Sequence, residues 1–417
     1  MERTLKQDYF YSTMVFLISP LISVFLAAKN YGAGWAKNMV WFFVIFYAIS
    51  FTIPSEGSDA FVYKGDLEYL HTANVAFSDF ASNFYSVTPN VFFDKSFDDL
   101  IQPALTYFVA QFTDNYRVLY LFVGIIFGYF YSRNIWFLVD SAKTKLQLVH
   151  VLILLAFPLI IPFWSLNSIR MWTAAHIFFY GAITYLYYER KGKGLMVIFL
   201  SVLMHFSFLL PVFTFLLFLV LGNRTKIFFY LFLFSFFVNE IDLGSLRTLL
   251  TAVTPDFFHR RVETYTPGEI VMQEAQERSW QAIYYGKILK WVVFFCIITL
   301  YIYGRKKIEQ YPILARIFAF TLLILTVGQL SSLVPSGGRF LKVGYLFALA
   351  SLFYSLQYIQ GMKQVKSAFY LITPGLVFFC LMSIKIGFDS INIGLLGNLF
   401  TLFFLGEVDI TISQLIN

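Results

Sequence analysis

Charged side chains are scarce in this sequence. Asp, Glu, Lys and Arg together make up 13% of its 417 residues, too few to coat a soluble surface. Apolar windows of membrane length recur from end to end instead, which is the composition of a polytopic α-helical membrane protein. A transmembrane β-barrel would alternate polar and apolar positions, whereas stretches such as Val292–Tyr303 are apolar almost throughout. Cysteine occurs twice, at Cys296 and Cys380, both inside apolar runs, so the external loops have no disulfide framework of their own. Histidine occurs five times, and neither His-Glu-Xaa-Xaa-His nor paired Cys-Xaa-Xaa-Cys is present, which argues against a zinc centre. No Walker-type loop, Gly-Xaa-Gly-Xaa-Xaa-Gly or Gly-Xaa-Ser-Xaa-Gly stands out, so ATP, dinucleotide and serine-hydrolase chemistry gain no support. The first apolar segment is followed by Lys29-Asn30-Tyr31-Gly32 rather than a small-residue cleavage site, and is expected to remain as a helix.

The net charge of +7 flanks apolar segments rather than forming a nucleic-acid patch, and no nucleic-acid partner is expected. Lys143 with Lys145, Arg190 to Lys193, Arg224 with Lys226, Arg305 to Lys307, and Lys363 with Lys366 read as cytoplasmic markers. Between them lie segments at about 146–164, 171–188, 287–304, 311–331, 340–360 and 367–385. Upstream, segments are expected at about 10–28, 38–54 and 116–139. Pro103–Phe112 is too short to cross and reads as re-entrant or interfacial. The run Gly194–Leu221 is long for one span and short for two, yet both ends carry cytoplasmic charge. A hairpin of two short helices turning near His205 fits, and such a break belongs at a cavity. The fold expected is therefore a single all-α polytopic membrane domain over 1–417. It has about 11–14 transmembrane or re-entrant helices and two larger external loops, 55–100 and 240–286.

Arginines gather at the ends opposite the cytoplasmic markers: Arg170, Arg260, Arg261, Arg339 and Arg117. A guanidinium matches phosphate oxygens because its planar fork donates paired hydrogen bonds and keeps its charge. The same arginines could simply snorkel to the interface. Arg170 stands out because it opposes the positive-inside trend, with Asn167 a turn away. His205 is either a general base or substrate hydrogen-bonding group, or a hydrogen-bonded pin for its hairpin. Asp59 and Glu56, in the acidic first loop, are either solvated carboxylates or alternative bases. Tyr63 and Tyr265 lie in the two loops, where an aromatic belt at the interface accounts for many such residues.

Four stretches in order carry a resemblance: Gly57, Asp59 and Tyr63; Pro103–Phe112 followed by Thr113-Asp114-Asn115-Tyr116-Arg117; Asn167-Ser168-Ile169-Arg170 opening a helix; and the isolated His205. Arg339 with Tyr345 behind it fits more loosely. Together they resemble the EpsG-like group of Wzy-type polysaccharide polymerases. One departure is Met171, where the arginine of that family is often followed by glutamine. The resemblance implies a GT-C-like polymerase architecture in the bacterial cytoplasmic (inner) membrane, with a site facing the periplasm. It also implies a metal-independent, cofactor-free glycosyltransferase of O-antigen, lipopolysaccharide or similar surface-polysaccharide biosynthesis. Donor and acceptor would both be undecaprenyl diphosphate-linked oligosaccharides, with a chain-length regulator as a further partner. In that reading Asp59, His205 and Glu56 are the catalytic candidates, and Arg170, Arg339, Arg260, Arg261, Tyr63, Asn167 and Tyr265 bind substrate. An O-antigen ligase and a flippase of the same lipid-linked sugar are the alternatives. A flippase should carry charge through the depth of its helices, and here the helix centres are nearly bare of it.

Overall fold

A computed structural model describes residues 2–53, 58–82, 99–238, 280–332, 336–359, 361, 363–404 and 410–416. Those residues form α-helices and 3₁₀ turns, with one isolated β-bridge, Asn392 to Thr411. The N-terminal apolar stretch departs from expectation. It is not one helix but two, α1 (Glu2–Ile18) and α2 (Pro20–Lys29), because Pro20 has no N–H to continue the ladder and Ser19 caps the restart from its side chain. Then follow α3 (Ala36–Ser50), α4 (Asp59–Thr72), α5 (Phe77–Ser82), α6 (Ile101–Ala110) and α7 (Tyr116–Asp140). At ten residues α6 is about 15 Å long, half a bilayer core. It lies beside α4 instead of crossing, with the His71 Nδ1 2.7 Å from Ala110 O.

Six helical runs among the described residues are long and apolar enough to cross a membrane. One of them, Leu148–Leu186, is not a single rod. It comprises α8 (Leu148–Ile160), a 3₁₀ turn (Phe163–Ser168) and α9 (Ile169–Leu186), and it doubles back. His176 Nε2 lies 3.3 Å from Ile161 O, and the Phe157 ring packs tilted against that of Phe179 with centres 5.5 Å apart, which a straight helix could not achieve. His150 and His176 are both buried core histidines, as their positions within spans suggest.

The hairpin expected near His205 is present as α10 (Lys191–Met204), His205 in extended conformation, a 3₁₀ turn (Phe206–Phe208) and α11 (Leu209–Leu221). Contacts of α9 with α10 run in opposite directions, Gly181 to Ile198 and Tyr185 to Gly194. Those with the 3₁₀ turn and α11 run in the same direction, Phe178 to Phe208 and Tyr185 to Phe215. The chain therefore enters and returns. The α9–α10 approach depends on glycine: a Cβ on Gly194 would lie 2.7 Å from Tyr185 Cβ and 2.8 Å from its backbone nitrogen. Gly194→Ala is expected to cost about 1–3 kcal/mol by overpacking. Gly192→Ala, facing open space, should be neutral or mildly stabilising. Equal melting temperatures for the two purified variants would contradict this packing.

After α12 (Thr225–Phe234), the chain continues with α13 (Trp280–Ile308), α14 (Pro312–Ser331), α15 (Gly338–Tyr358) and α16 (Lys363–Ser390). The short α17 (Leu399–Phe404) and α18 (Ile412–Ile416) end it. The interior belongs to α14 and α15, whose apolar windows are 78% and 89% buried, while α16 at 22% is peripheral. Phe178, Phe320 and Phe347 join them to α9. At one end of the bundle Gln357 Oε1 accepts from the Lys143 and Thr144 amides, Lys307 donates to Gly361 O, and Arg316 pairs with Glu189. These are the ends that carry the basic clusters. The ends of α8 and α16 and the starts of α9, α13 and α15 meet at the other, where the candidate residues lie.

Candidate active site

Arg170 is the second residue of α9, presented by the 3₁₀ turn that reverses the chain after α8. Its Nε donates to the Tyr63 hydroxyl at 2.9 Å, and an Nη donates to Asp99 Oδ2, also at 2.9 Å. The same carboxylate holds His205, whose Nδ1 is 3.0 Å from Oδ2 and 3.2 Å from Oδ1. It also accepts the Phe206 amide on Oδ1 at 2.6 Å. Asp99, two residues before α6, thus joins the mouth of α9 to the break in the α10–α11 hairpin. Its side chain is 0% exposed. An ionised carboxylate has lone pairs for all three donors, and a buried one needs them.

Two opposing effects set the protonation of Asp99. Burial raises its pKa, but the His205 hydrogen bond and charge, the Arg170 charge and the Phe206 amide together bring it below the ordinary carboxylate value. The acid is therefore an acceptor at neutral pH. Its partner nitrogen on His205, Nδ1, must then carry the hydrogen, so that whenever the ring is neutral the tautomer is fixed and the lone pair lies on Nε2. Among the described residues Nε2 has no hydrogen-bond partner.

Helix α4 is pinned over this cluster by three polar contacts in succession. Ser168 Oγ donates to Asp59 Oδ2 at 2.9 Å, the Ala60 amide donates to Asn167 Oδ1 at 3.3 Å, and Tyr63 meets Arg170. Ser58 caps the helix, so Asp59 sits in its first turn, where the dipole favours a carboxylate. Tyr63 is 3% exposed, and burial pushes its phenol well above the usual range. It stays a neutral hydroxyl.

The sequence candidates therefore divide. Asp59, Tyr63, Asn167, Arg170 and His205 converge from three stretches of chain. Arg339 stands apart, exposed at the start of α15, although its neighbour Phe340 packs against Phe208 just beyond His205. Glu56, Arg260, Arg261 and Tyr265 lie outside the described residues, as does Gly57. Sequence reasoning missed Asp99, one acid among eight in its loop. It missed Lys342 as well, although that residue follows Arg339 by one helical turn.

Lys342 belongs to a cavity of about 260 Å³ on the other side of the 3₁₀ turn, lined among others by Trp164, Ser168, Trp172, Tyr285 and Tyr345. Its ammonium lies 4.9 Å from the Trp172 ring centre. Gly387 leaves room for Trp164: a Cβ there would fall 2.8 Å from the indole.

The sequence pattern of the EpsG family matches residues 38–395, which takes in every residue of both sites. The chain belongs to the EpsG family. No curated protein and no solved structure matches it. As an EpsG-family chain it is a multi-pass, polysaccharide polymerase-like membrane protein with glycosyltransferase-like activity at that coarse level.

Proposed function

We propose that this protein polymerises a surface polysaccharide such as O-antigen. It would transfer the growing glycan from undecaprenyl diphosphate to a sugar hydroxyl of a new lipid-linked repeat unit. The work would be done at the periplasmic face of a bacterial inner membrane. The observation that carries the reading is the buried Asp99 carboxylate shared by Arg170 and His205, because it prepares a cation and a base side by side.

In the reaction the acceptor O–H gives its proton to His205 Nε2 as the oxygen bonds to the donor's anomeric carbon. The bond from that carbon to the diphosphate oxygen breaks, and the diphosphate leaves with the electron pair. Negative charge grows on the leaving group, so a cation already in place contributes more than one recruited during the step. Arg170 is such a cation: two of its nitrogens are anchored, and its side chain is still 31% exposed. Asp99 orients the imidazole and stabilises its protonated form, and proton acceptance by a positioned base is worth roughly 100- to 10,000-fold. Asp59, held by Ser168, would accept from a sugar hydroxyl of the substrate.

The test is complementation of a deletion strain, with surface glycan resolved by gel at matched protein levels. Arg170→Ala and His205→Ala are expected to collapse the ladder to single repeat units that are still transferred to the surface. A full ladder from both would sink the proposal. Loss of even the single units would point to a ligase, and lipid-linked units stalled inside would point to a flippase.

A further inference from the structure

Trp172 and Arg170 are separated by two positions on α9, which at about 100° per residue directs them to nearly opposite faces of the helix. Arg170 faces α4 and the α10–α11 hairpin. Trp172 faces the cavity formed by α13, α15 and α16. The first turn of α9 and the 3₁₀ turn before it are therefore a wall between two polar sites, and Ser168 touches both. It lines the cavity and donates to Asp59 on the cluster side.

The two sites differ in charge balance. Arg170 is neutralised by Asp99, whereas no Asp or Glu lines the cavity, and Lys342 has no carboxylate partner among the described residues. Its stem is partly buried and its head rests on Trp172, one turn beyond Arg339, which also has no ion pair among the described residues. An unbalanced cation at a helix mouth in a low-dielectric wall calls for an anion. Asn167 adds a donor: its Oδ1 is engaged by Ala60, and its Nδ2 has no partner among the described residues. The volume, about 260 Å³, falls just below the range of small-ligand pockets, which suits a head group and not a whole oligosaccharide.

We propose that this cavity is a second diphosphate site, in which Lys342 and Asn167 hold the head group of one lipid carrier while Arg170 serves the other. The inference rests on the polymerase reading, because a reaction between two lipid-linked glycans must seat two anionic carriers at once. The shared wall would then hold the two heads one helix apart, with the sugars meeting above the first turn of α9.

The experiment is calorimetric titration of the full chain in nanodiscs with farnesyl diphosphate and, separately, inorganic diphosphate. The wild type is expected to bind two farnesyl diphosphates. Lys342→Gln should retain one and lose the other by at least about tenfold, and Lys342→Arg should restore it. An unchanged melting temperature of Lys342→Gln shows that binding, not folding, was lost. Two undiminished sites in Lys342→Gln would overturn the proposal, and so would a single wild-type site. Equal affinity for inorganic diphosphate would overturn the lipid carrier as occupant, leaving a free-anion site. Lost binding with an intact glycan ladder would overturn the carrier role. A deletion strain that still makes long glycan would instead remove the polymerase reading and leave the binding result standing.

Discussion

Asp99→Ala is expected to be the most damaging single substitution in this protein. It removes one carboxylate but leaves Arg170 uncompensated and the Phe206 amide without its acceptor. Breaking a buried pair of this kind costs about 3–5 kcal/mol. The partial exposure of Arg170 places the expected loss near the lower end. Thermal unfolding of the purified chain measures it, and a melting point matching the wild type would mean that Asp99 is no hub. The acid dependence has a definite sign. The folded pKa of Asp99 is depressed, so its contribution is complete above the unfolded carboxylate value of about 4 and is lost as pH falls through the lower folded value. The gap between wild type and Asp99→Asn due to this carboxylate should therefore close in strong acid, as Asp99 is protonated.

The second large effect concerns Arg170, and the informative replacement is lysine. Lysine keeps the charge but is a point donor, unable to hold Tyr63 and Asp99 while still offering a planar face. If the arginine is a preorganised clamp on the leaving diphosphate, Arg170→Lys should lower turnover by about 100- to 1,000-fold, the usual cost of losing one such donor. Its effect on stability should be much smaller than that of Asp99→Ala, because the buried carboxylate keeps a cation. A reconstituted polymerisation assay alongside a melting curve separates the two. Near-normal turnover would reduce Arg170 to a structural ion pair.

Much of the framework could be read without coordinates, because membrane length and end charge are local properties. The return at His205 followed from a run too long for one span between two basic ends, and the short α6 from counting residues. Arg170 and His205 were visible as polar residues in places where polarity is costly. Asp99 was not, since its role depends on α6, α9 and the hairpin being brought together, and nothing in its neighbours distinguishes it from Asp98. Lys342 had a faint signal, its one-turn spacing from Arg339. The division of the first segment at Ser19-Pro20 was legible in the proline and was overlooked because the flanks are equally apolar.

The seam at residues 99–100 also bears on the order in which the chain is built. The Leu100 amide donates to Leu203 O at 3.1 Å, while Asp99 takes the amide of Phe206, so both sides of the hairpin break are repaired by one dipeptide. Synthesis runs from the N-terminus, and that dipeptide emerges about a hundred residues before the break it repairs. By the time α10 leaves the translocon its partner is already waiting, and the exposed peptide groups at His205 need not face lipid unaccompanied. The hairpin is in this sense a late arrival fitted to an existing template, and biogenesis intermediates truncated before Leu100 would lack the piece that lets it close.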